Sequence, residues 1–66
     1  MKTKNEIIAD YLDSANEAII RIELSEQYLQ NKYAQENNQH VLEELAKLKA
    51  SKKENEDWIE FLKSQR

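Results

Sequence analysis

Sixty-six residues, with 13 acidic against 10 basic for a formal net charge of −3, make at most one small domain. Cysteine, glycine and proline are all absent, which excludes disulfides, thiolate metal sites and the glycine-rich loops that cradle phosphates. With 35% charged and 39% hydrophobic residues and a pI near 5.1, the chain reads as a soluble helical protein. The default location is cytoplasmic, and the negative balance gives no reason to expect a polyanion partner.

The opening MKTKNEIIADYLDS carries Glu6, Asp10 and Asp13 through its apolar residues, so it does not read as a secretory leader. No apolar run approaches the roughly 20 residues of a membrane span. Thr3 to Glu6 has the spacing of a capping box, in which the threonine hydroxyl and the glutamate each satisfy a free backbone N–H at a helix start. Apolar residues then recur at alternating intervals of four and three: Ile8, Leu12, Ala15, Ile19, Ile22, Leu29 and Tyr33, with Glu26 filling one seam position. Ile7, Tyr11 and Ala18 widen this stripe to about 140° of the circumference. The spacing predicts a helix over about 4–34. Leu24 and Tyr28 lie off the stripe and close together, a candidate contact patch for another protein. The plainer reading is two exposed apolar residues of an ordinary kind.

The midpoint, YAQENNQH, decides the topology. Extending the first stripe lands on Glu36, His40, Glu43 and Lys47, all polar, whereas the apolar set restarts at Val41. A continuous rod would need successive stutters to reconcile the two phases. Asn37 and Asn38 suit an N-cap, so the chain is expected to turn at about 35–38 and resume as a helix over about 39–64. That second helix carries Val41, Leu45, Leu48, Ile59 and Leu62, with Lys52 and Asn55 at the intervening seam positions. Ser51 to Glu54 also matches a capping box, but a four-residue match inside a helical run is weak ground for a third helix. The fold class is all-α, an antiparallel helical hairpin.

One hairpin offers one seam. Ile7, Tyr11 and Ala18 on the first helix, and Trp58 and Phe61 on the second, remain partly wet in it. Burying a large apolar side chain contributes about 1.5–3 kcal/mol, so these residues are the candidates for self-association. The expected assembly is a homodimer forming a four-helix bundle. Within the seam, Lys52 and Asn55 need polar partners, and Glu17 lies at about the right level to supply one.

Chemistry finds little footing. His40 has Glu36, Glu43 and Glu44 within a turn on one face, but without a second histidine an exposed residue near a helix start is the better reading; no metal and no cofactor are expected. Ser14, Ser25, Ser51 and Ser64 lack a credible base, and a short hairpin rarely encloses a pocket. The leading expectation is a small non-catalytic interaction or regulatory protein, of bacterial or phage-like composition. It would self-associate and bind another macromolecule through an exposed helix face. The alternative is an RNA-binding hairpin dimer with Lys47, Lys49 and Lys53 as phosphate contacts. Dimeric helical hairpins that grip RNA resemble it in layout only, with no shared motif, and Lys52 cannot serve both the seam and a phosphate. A membrane-surface role is disfavoured because neither polar face is strongly basic.

Overall fold

A computed structural model of the chain describes residues 1–34 and 38–66. It contains two helices packed against each other, α1 (Lys4–Lys32) and α2 (Gln39–Ser64). The molecule measures 51 × 15 × 14 Å, whereas a straight helix of this length would run to about 99 Å. The phase mismatch between the two apolar stripes is therefore resolved by doubling back. Of the expected turn, positions 35–37 lie outside the described residues, and with them Glu36 and Asn37.

Asn38 starts α2, its side-chain oxygen accepting from the His40 N–H at 2.8 Å. At the start of α1, the Thr3 hydroxyl oxygen accepts from the Glu6 N–H at 3.2 Å. The reciprocal half of the capping box takes a different form. Glu6 accepts from the Thr3 hydroxyl at 3.1 Å, leaving the Thr3 backbone N–H to solvent at this exposed end. Lys32 and Lys63 fall in the last turns of their helices, where a cation complements the exposed carbonyls.

The buried residues are those that the spacing selects. Ile8, Leu12, Ala15 and Ile22 of α1 face Val41 and Leu62 of α2. Ile19, Leu29, Tyr33, Leu45, Leu48 and Ile59 are half-buried along the same seam. At the open end Leu62 packs with Ile8 and Leu12, flanked by Ile59, which sets the register of the pair. α2 continues through Ser51 without a break, so no third helix starts there.

The polar part of the seam is built differently from expectation. Asn55 is half-buried and donates from Nδ2 to the Ser51 carbonyl of its own helix at 2.9 Å. Glu17 supplies no partner, because it lies on the outer face of α1, with its side chain largely exposed and 3.7 Å from Arg21. Its position, about 170° round the helix from the seam centre, precludes the inward role. Lys52 is half-buried; a long stem can cover apolar surface while its ammonium reaches water. Among the described residues no buried side-chain nitrogen or oxygen lacks a hydrogen-bond partner.

Candidate interaction surface

At the open end of the hairpin a groove of about 420 Å³ runs beside the seam. Ile8 and Leu62 reach it from the core, Ile7 and Tyr11 form one wall, Trp58 and Phe61 the other, and Lys4 and Gln65 stand at the rim. The arrangement follows from spacing. Ile7 and Tyr11 sit one residue before the seam positions Ile8 and Leu12, hence about 100° round the helix. Trp58 and Phe61 have the same relation to Ile59 and Leu62. The two flanking pairs therefore converge on one side of the hairpin.

Trp58 organises the aromatic wall. Tyr11 meets it edge-on, with ring centroids 5.9 Å apart at 70°. Phe61 stacks on it at 5.7 Å and 14°. Both geometries are favoured by the ring quadrupoles. All three rings remain wet: Tyr11 is 52% exposed, Trp58 42% and Phe61 53%. Four of the five residues expected to mediate association thus share one surface. Ala18, half-buried, lies two turns beyond Tyr11 and does not line the groove.

A second apolar strip occupies the outer face of α1. Leu24 and Tyr28 are both exposed there. Ile20, also exposed, extends them to three residues spaced by four; sequence reasoning passed over it, although that spacing was the available signal. The Lys32 ammonium closes this strip, 5.5 Å from the Tyr28 ring centroid and 5.3 Å from that of Tyr33. The neighbouring Tyr28, then Tyr33, raise the lysine's pKa above its ordinary value. A cation held over two aromatic faces is a modest local clamp at the helix end.

The lysines of α2 do not form a single stripe. Lys49 and Lys53 share a face, but Lys47 lies about 120–160° round the helix from them. Lys47 is 3.6 Å from Glu44, and Lys53 donates to Asp57 at 2.7 Å. The Asp57 hydrogen bond, then the charge of the same carboxylate, raises the Lys53 pKa.

His40 is exposed beside the start of α2, and the Ser64 hydroxyl donates to the Phe61 carbonyl at 2.6 Å. Among the described residues no group of three His, Cys, Asp or Glu is placed to hold a metal ion. No helix there is long and apolar enough to cross a membrane. Comparison with protein-family models, curated proteins and solved structures finds no match to the chain.

Proposed function

We propose that this chain is a small non-catalytic interaction protein that self-associates, four helices meeting in a dimeric bundle, and binds another macromolecule through an exposed helix face. The observation that supports it is the division of the large apolar side chains. Among the described residues Ile8, Leu12, Ile22, Val41 and Leu62, with the small Ala15, are buried in the seam, while Ile7, Tyr11, Trp58 and Phe61 gather, about half exposed, around one groove. Side chains of that size are costly to leave in water in a fold with so small a core. Ile20, Leu24, Tyr28 and Leu42 are exposed elsewhere, but among the described residues only the groove gathers side chains from both helices, including three aromatic rings, into one concave surface. The outer strip of Ile20, Leu24 and Tyr28 is the face left for a different macromolecule once the groove is occupied.

The RNA-binding alternative has less support, since Lys47 and Lys53 are engaged by Glu44 and Asp57 and do not share a face. Sedimentation velocity across micromolar concentrations tests the main reading. The expected species has twice the 7.9 kDa chain mass, and a monomer throughout the range would overturn it. A salt titration against generic RNA at low ionic strength tests the alternative, which a flat response eliminates.

A further inference from the structure

The groove is confined to one end of a 51 Å hairpin, and that asymmetry restricts how a second copy can cover it. Resting on the self-association just proposed, we propose that two copies join tail to tail. Their groove ends overlap about a perpendicular two-fold axis, and their turn ends point in opposite directions.

Three modes of pairing compete. Full-length antiparallel overlap sets the Tyr11–Trp58 end of one copy against the level of Ser25 and Lys47 in the other, wasting the apolar wall on polar groups. Parallel pairing brings the grooves together but keeps every charge at the level of its own copy, so that the two Lys4 residues stand at one end of the interface. Tail-to-tail pairing matches groove to groove and inverts the order of the charges along it.

Those charges are complementary under inversion. Lys4 stands at the outer rim of the groove. Glu54 lies one turn before Trp58 and two before Phe61 on the same face of α2, at the inner edge. Neither belongs to an ion pair among the described residues, although Lys2, Lys47 and Lys53 each do. With Leu62 packed on Ile8 and Leu12, Lys4 and Glu54 stand about 21 Å apart along the axis, too far to pair within one chain. A two-fold axis midway between them passes through the aromatic cluster and brings Lys4 of each copy to the level of Glu54 of the other, on the adjoining helix and so about 8–10 Å to the side, within the combined reach of the two long side chains. The half-exposed rings and Ile7 offer on the order of 400 Å² of apolar surface per copy. Two copies with their rims then reach about 1,000 Å² in total, the lower end of specific interfaces and the range of a weak, reversible dimer.

The test combines shape with cross-linking. Small-angle scattering of the dimer is expected to give a longest dimension of about 72 Å, for two 51 Å hairpins overlapping by about 30 Å. The chain has no cysteine, so Lys4→Cys and Glu54→Cys variants can be mixed and joined with a bis-maleimide of about 10 Å reach, matched to the sideways helix spacing. The mixed cross-link should form in preference to either homodimer, with helix content by circular dichroism unchanged. Lys4→Glu and Glu54→Lys should each weaken association on the order of threefold, and the double reversal should restore it. A dimer no longer than one hairpin, a dominant Lys4→Cys homodimer, or a double reversal without rescue overturns the tail-to-tail arrangement while leaving self-association standing. A monomer at all concentrations overturns both.

Discussion

Tyr11 and Trp58 meet edge to face across the helix pair, the only interhelical ring contact among the described residues and one that lies beside the core rather than in it. It joins the wall of the groove to the packing of Leu62 beneath. Tyr11→Ala is expected to lower the unfolding free energy by about 1–2 kcal/mol, the ring contact plus part of its buried area. Tyr11→Phe keeps the ring and should cost less than about 0.5 kcal/mol. Trp58 is the sole tryptophan, so urea unfolding followed by its fluorescence reads both variants directly.

Leu62 and Leu42 are the same residue type on one helix, 4% and 50% exposed. Leu62→Ala should cost about 2–5 kcal/mol, because it opens a cavity beneath Ile8 and Leu12. In a fold this small that is enough to unfold much of the population at room temperature. Leu42→Ala should stay within about 0.5 kcal/mol of the parent. Thermal melts by circular dichroism compare the two, and equal effects would mean that the hairpin seam is not the core.

Asn55 tests the polar part of the seam. Its amide is satisfied by the Ser51 carbonyl of its own helix rather than by a side chain opposite. Removing it strands no partner, because that carbonyl keeps its place in the helical ladder. Asn55→Leu is therefore expected to leave stability unchanged or raise it by up to about 1 kcal/mol. A loss in denaturant unfolding would show that the amide has another partner in the assembled state.

The alkaline limb reports on Lys53. Its pKa is raised above the ordinary 10.5 by Asp57. The stability it adds is complete below pH 10.5 and is lost as pH climbs through the raised value. Lys53→Met removes that contribution, so the difference in helix content between parent and variant should narrow above pH 10.5. The group is fully exposed, so added salt should shrink the same difference.

Position along a helix was legible in the sequence wherever burial follows from spacing. The intervals of Ile8, Leu12, Ala15 and Ile22, and the fresh start at Val41, contain the seam and the reversal between them. Glu17 was misplaced because its level along the axis was considered without its angle around it. Ile20 adjoins the seam residue Ile19 and was passed over, although its spacing of four from Leu24, itself four from Tyr28, placed it on the same outer face. The groove lay between these cases. Its members were readable as flanking residues, but their convergence at one end depends on which residue of α2 stands beside which of α1, and Leu62 against Ile8 and Leu12 settles that only in three dimensions.

Because α1 begins and α2 ends at the same pole of the hairpin, Lys4 and Gln65 both border the aromatic groove. Anything joined ahead of Met1 or behind Arg66, whether an affinity tag, a fluorescent label or a further stretch of polypeptide, therefore emerges on its doorstep. A bulky appendage at either point would act as a cap over Trp58 and Phe61, whereas the same cargo grafted near Asn38 would ride about 30 Å from Trp58, twenty residues of helix away, and leave that pole free.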